Sequence, residues 1–442
     1  MPRKLICLLL APALLLAQRR SPDRSLAAAS ELSTDQQIVQ FQKQAAGQPS
    51  NLHFQNLLAS AYIQKVREST DFTYLDRASK IVDSVLSADS GNYEAMRLRS
   101  EIEMEQHHFA QVAEYSEELT KIAPDDPWNF GTLGDALMEM GQPDRAAKAY
   151  AAMLKLRPNQ ASYNRAAYHR FVTGNAPEAV ALMTLAVNAG GWAPENTAWC
   201  LVELGNMYFK TGQLDSAEKA YSNALALFDG YHTANAGLGR VKAAQGKTAE
   251  AIERYKRAQA SVPLPDYAAA LYALYLQSGK PAEAKKQLDL IDVVDKLAQA
   301  TGEKTNRNLA VIYADQGTHL DHALELVREE LKVRQDVYTY DALGWVLFKS
   351  KQYADARKAA ERAIQYGTPE PGFYYHAGMI ALAEGRNPDA ARLLSRALEL
   401  NPKFDPVQAP IAETSIRRLS SEPPSASDPS PRAGSPSSRP TR

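Results

Sequence analysis

The sequence predicts an all-α chain, a solenoid of about ten helix–turn–helix units stacked one on the next. Three observations carry the prediction. A pattern recurs: "LGDALMEMGQPDRAAKAYAAML" from Leu133 aligns with "LGNMYFKTGQLDSAEKAYSNAL" from Leu204, "LGRVKAAQGKTAEAIERYKRAQ" from Leu238, "LGWVLFKSKQYADARKAAERAI" from Leu343 and "AGMIALAEGRNPDAARLLSRAL" from Ala377. The spacing is regular. The position after the leading Leu or Ala falls at Gly134, Ala167, Gly205, Gly239, Tyr272, Ala310, Gly344 and Gly378, in steps of 33, 38, 34, 33, 38, 34 and 34. Finally, each unit is punctuated. Thr211 and Gly212 stop a first helix, and Asp215 with Glu218 has capping-box spacing for a second. Asn387 with Pro388 starts the second helix of the last unit, and Pro124, Pro158, Pro263 and Pro402 close units.

The physical content of the pattern is packing. Two antiparallel helices cross closely only where Gly, Ala or Ser lets the backbones approach, which accounts for Gly205, Ala217 and Ala224. Large residues such as Leu204, Tyr208 and Tyr221 fill the space around the crossing. A single pair cannot cover its own apolar faces, so stacking is obligatory. The second-helix small residue recurs as Ala146, Ala179, Ala217, Ala251, Ala284, Ala323, Ala356 and Ala390. A period of 34 with these anchors resembles the tetratricopeptide repeat. That resemblance implies a right-handed α-α superhelix whose first helices line the concave face.

Two weaker copies precede Gly134, aligned through Ser100 with Val112 and through Ala59, Tyr62 and Ala78. The stretch from Glu31 to Gly47 reads as a polar capping helix, so the solenoid is expected over residues 31–405. The two longer steps mark insertions at Asn188 to Asn196 and at Val293 to Glu303, the second extending a helix. Residues 406–442 form a C-terminal extension, Ser- and Pro-rich and expected to be disordered from about residue 420. At the other end, Arg3 and Lys4 precede a 13-residue apolar run, Leu5 to Ala17. A bilayer span needs roughly 20 residues. The pattern fits a signal peptide and processing region over residues 1–29, hence an exported protein, periplasmic or extracellular, with no stable membrane span after processing. The alternative is an uncleaved start on a cytoplasmic protein.

Composition narrows the function. Acidic and basic residues nearly cancel, 51 against 50 in 442 residues, which argues against a nucleic-acid binder. Beyond Cys7, Cys200 is the one thiol, so neither a disulfide nor a cysteine-built metal site is expected, and Cys200 reads as a small packed residue. His319 with His322, and His107 with His108, lack a third ligand nearby in sequence. No nucleophile elbow, Walker loop or zinc-protease motif is present, and no cofactor is implied.

If the resemblance holds, the inward positions of the first helices include Trp128, Tyr168, Phe171, Trp199, Asn206, Phe209, Lys210, Arg240, Tyr338, Asp341, Trp345, Phe348, Tyr375 and His376. An aromatic groove with interspersed polar groups suits a protein or peptide segment. The expected function is therefore a non-enzymatic interaction scaffold. A specialised carboxylate clamp known in the family is absent: Asn206 fits one of its positions, but Val202, Gly237, Tyr267 and Leu271 occupy the others. The C-terminal repeats also resemble bacterial envelope-type repeat proteins, which implies an exported scaffold and no particular chemistry. Two other readings stand beside this one. The aromatics could be buried by a tightly wound superhelix in a self-assembling structural protein. Alternatively, Asp341 and His376 could pair, with Tyr375 beside them, in a small-molecule or enzymatic site.

Overall fold

The computed structural model describes residues 32–191, 193–300 and 306–421; the expected signal peptide lies outside them, as does the sequence beyond Ser421. The described residues hold twenty-two α-helices and no strand. Helix α1 (Thr34–Gly47) opens the array, and α22 (Gln408–Ser421) ends it. Between them run ten consecutive pairs. The first five are α2 (Leu52–Ser69) with α3 (Thr73–Ala88), α4 (Tyr93–Glu105) with α5 (Phe109–Ile122), α6 (Pro127–Glu139) with α7 (Pro143–Leu156), α8 (Gln160–Val172) with α9 (Ala176–Ala189), and α10 (Pro194–Lys210) with α11 (Leu214–Leu227). The second five are α12 (His232–Ala244) with α13 (Thr248–Ser261), α14 (Pro265–Gln277) with α15 (Pro281–Ala300), α16 (Arg307–Gln316) with α17 (Leu320–Val333), α18 (Val337–Lys349) with α19 (Tyr353–Ile364), and α20 (Pro371–Ala383) with α21 (Asn387–Leu400). The second insertion does lengthen a helix: α15 has 20 residues.

The crossings follow the sequence pattern. A Cβ on Gly205 would lie 2.5 Å from the Tyr221 ring, and one on Gly239 would lie 2.7 Å from the Tyr255 ring. Gly134 meets Tyr150 in the same way. Gly134, Gly205 and Gly239 are thus slots for a second-helix aromatic, while Gly378 receives Leu394 and Gly344 the alanines Ala356, Ala359 and Ala360. The second-helix alanines, including Ala146, Ala217 and Ala356, are fully buried.

Helix starts differ from expectation at two places. Helix α11 begins at Leu214 with Gln213 at its N-cap and no side-chain cap, so Asp215 lies inside the first turn and does not cap it. Glu218 does not reach back either. Its carboxylate accepts from Lys242 Nζ at 2.6 Å and Gln245 Nε2 at 3.0 Å, linking one repeat to the next. Likewise Asn387 is the first helical residue of α21, after Arg386, with Pro388 in the first turn as expected.

The repeat pattern does not reveal that the superhelix closes on itself. Turns between paired helices on the first turn of the superhelix meet the loops between pairs on the second. The Gln335 N–H donates to the Glu139 carbonyl at 2.8 Å. Thr368 Oγ1 donates to the Val172 carbonyl, 196 residues away, at 2.6 Å. Asn401 Nδ2 donates to the Phe209 carbonyl, 192 residues away, at 2.7 Å. The backbones nearly touch along this seam, where a Cβ on Gly174 would be 2.8 Å from the Tyr366 carbonyl oxygen. The seam also has an apolar core. Leu137, Met138, Tyr150 and Val172 of the first turn share one cluster with Val337, Ala363 and Phe373 of the second. Burial of that kind makes the contact a permanent part of the fold.

Candidate interaction face

The first helices line the inner face, and most of its polar groups are tied to one another. Lys210, at the end of α10, pairs with Glu370 at 2.7 Å across the seam. Its ammonium lies 5.5 Å from the Phe171 ring centre and 5.3 Å from that of Tyr338. Burial opposes the charge on Lys210, but Glu370 and its neighbours outweigh it and raise the pKa. Arg240 on α12 covers the Phe209 ring at 4.7 Å and donates to Asn206 Oδ1 at 2.6 Å and to the Tyr221 hydroxyl at 3.1 Å. Tyr221 in turn donates to Asn206 at 2.8 Å. Tyr150 makes the same bond to Asp135 at 2.9 Å, also 15 residues back, and Arg165 grips that Asp135 at 2.8 Å. These links hold the second-helix aromatic onto the residue that follows the glycine slot.

The structure corrects the expectation of an open aromatic groove. Phe171, Phe209, Trp345 and Tyr375 are each only 3% exposed, and Asp341 and His376 are buried with them. Their faces are taken up by neighbours on the same or the next first helix, Lys210 over Phe171, Arg240 over Phe209, and Lys349 and His376 against Trp345. Trp128, Tyr168, Trp199, Asn206, Lys210, Arg240, Tyr338 and Phe348 remain partly exposed. Of these, Trp128 stands out. The Arg97 and Arg165 guanidiniums lie 5.2 and 5.6 Å from its ring centre, and its buried indole N–H has no acceptor.

Glu101 on α4 is close to the same arginines. Burial pushes its carboxyl up to about 7, and Arg97, Arg67 and Arg165 pull the other way without offsetting it. Sequence reasoning passed over Arg97 and Glu101. Glu101 follows Ser100, as Asp135 follows Gly134, so the position was recoverable from the weaker copy.

The possible catalytic pair does form. His376 Nδ1 lies 3.0 Å from both Asp341 carboxylate oxygens. Burial would lower the imidazole pKa, but Asp341 outweighs it and the pKa is raised. The ring stacks on Trp345 at 4.1 Å, and Trp345 Nε1 donates to Asp315 at 2.8 Å. Tyr375 lies beside the pair, its ring 5.7 Å from that of His376, and also packs against Trp345 and Phe404. Both partners are buried, and the pair links α18 to α20. Cys200 is buried and its thiol is pushed up to about 11 by that burial, as suits a packed residue. Among the described residues no three His, Cys, Asp or Glu side chains converge to hold a metal, and no helix is long and apolar enough to cross a membrane.

Comparison with known proteins agrees with this geometry. Family models described as tetratricopeptide repeat match residues 132–193, 195–263 and 342–403. No curated protein matches the chain. Similar solved structures include the Cut9–Hcn1 hetero-tetramer of the APC/C, at 14% identity and a TM-score of 0.49, covering 89% of this chain and 68% of that one. PilW, a type IV pilus biogenesis factor, is 17% identical with a TM-score of 0.41, covering 46% of this chain and 93% of that one. YrrB, described as having an unusual peptide-binding site, is 20% identical with a TM-score of 0.32, covering 41% of this chain and 93% of that one.

Proposed function

Because this chain is a tetratricopeptide-repeat protein, we propose that it is a protein-interaction scaffold that holds a segment of a partner protein on its inner face, around Trp128 and Trp199. Trp128 is the observation that carries the reading. A half-buried indole flanked by two guanidiniums leaves part of an apolar ring open to a partner segment. A partner segment would bury the part of the ring that remains exposed. Arg165 and Trp199, on the two following first helices, continue the surface from α6 through α8 to α10. The fully buried aromatics act as the frame beneath it.

The test compares partner recovery by the folded wild type and a Trp128→Ala/Trp199→Ala variant, with Lys148→Ala on the opposite surface as control. Truncating aromatic anchors of this kind costs on the order of tenfold or more in affinity. The double variant should therefore lose partners that the control retains. Equal recovery by all three proteins rejects the inner face as the binding site.

A further inference from the structure

The seam has unoccupied counterparts at both ends of the superhelix. Val333, Ile364 and Leu400 are the last residues of α17, α19 and α21, and all three lie at the seam. Val333 packs in a cluster with Phe109 and Met140 of the first turn. Ile364 packs against the cluster that holds Leu137 and Met138, and the Leu400 carbonyl oxygen lies 3.0 Å from where a Cβ on Gly212 would be. Ile122, Leu156 and Leu227 end α5, α7 and α11 in the same way, yet they are 61%, 42% and 44% exposed.

The opposite rim repeats the contrast. Met138, Phe171 and Phe209 sit three residues before Gly141, Gly174 and Gly212, and all are buried. Leu276 sits three residues before Gly279 and is 48% exposed. Gly279 and Gly317 make the same positive-φ turns, at 67° and 69°, with nothing within 4 Å of a Cβ placed there. One rim of the first turn therefore offers the apolar helix ends that the seam buries, and one rim of the second turn offers the sockets.

We propose that these two rims bind each other between chains. The Ile122–Leu156–Leu227 rim of one copy seats on the Leu276–Gly279–Gly317 rim of the next, continuing the superhelix through the same contact that closes it within one chain. The partner is thus a second copy. The free rims carry at matching repeat positions the residue classes the seam already pairs, and they lie on the continuation of that interface. The contact is heterologous, so it adds copies in a row and does not close a two-fold dimer. This inference rests on the seam and is independent of the inner-face reading.

Sedimentation velocity on the full chain tests it. The wild type should sediment faster as concentration rises from micromolar to millimolar. An Ile122→Lys/Leu156→Lys/Leu227→Lys variant and a Leu276→Lys variant change exposed residues only, and circular dichroism verifies their folds. Each alone should stay monomeric. An equimolar mixture has one intact rim of each kind and should give a one-to-one dimer that grows no further. The proposal is overturned by a wild type that remains monomeric throughout, by variants that associate like the wild type, or by a mixture that gives no dimer.

Discussion

Left-handed residues turn the chain between the helices of each pair, one in every turn except that between α16 and α17, which has Gly317 and His319, and the seam makes some of them more demanding than others. Gly141 and Gly317 have nearly the same backbone, with φ of 68° and 69°. His107 and Lys351 take the same turn at 62°, so the conformation alone does not exclude a side chain. A Cβ on Gly317 would meet open space, whereas one on Gly141 would collide with the Gln335 carbonyl oxygen. Gly317→Ala should therefore cost about 1–2 kcal/mol, the ordinary left-handed penalty. Gly141→Ala should cost a further ~1–3 kcal/mol, because backbone must move on both turns of the superhelix. Urea denaturation of the two variants measures the difference directly, and equal losses would mean that the two turns of the superhelix do not touch at Gly141.

At the scale of the elements, the first helices bring ionisable groups into a confined space. Glu101 on α4 shows the consequence. Burial lifts its carboxyl from 4.5 to about 7, so the fold favours the protonated form. Its stabilising contribution is complete below 4.5 and is lost as pH rises through about 7. Glu101→Gln should flatten the pH dependence of the urea midpoint across that window; an unchanged slope would show that Glu101 is as well hydrated in the folded protein as in the unfolded one. Much of this level was legible in the sequence. Gly134, Gly205 and Gly239 marked the crossings, and Ala146 and Ala217 their partners, because close helix approach admits few residue types. Helix starts were less legible. Asp215 looked like a cap by spacing, yet two residues of difference in where α11 begins move it into the first turn. The Tyr221–Asn206 and Tyr150–Asp135 bonds share a separation of 15 residues, a signal present in the sequence that becomes meaningful only once the crossing geometry is known.

At the scale of the whole molecule, repeat periodicity defines the unit but not how tightly successive units wind. A small change in rotation per repeat, summed over six units, separates an open spring from a closed coil. Closure depends on residues that look ordinary in sequence, such as Thr368, Glu370 and Asn401, which acquire their roles from partners 196, 160 and 192 residues away. Phe171, Phe209 and Trp345 were legible as inward-facing but not as buried, because their cover comes from side chains of the adjoining repeats, Lys210, Arg240 and His376. Trp128 and Trp199 are among the inner-face residues that stay partly exposed, and closure leaves a free rim at either end. Hydrogen exchange at the Gln335 amide tests closure most directly. This amide sits in an exposed loop residue just after α17, and its one backbone acceptor is Glu139 on the first turn of the superhelix. A closed coil protects it to a degree comparable with the adjoining helices. Exchange at the rate of an unstructured loop would contradict closure and leave the superhelix open.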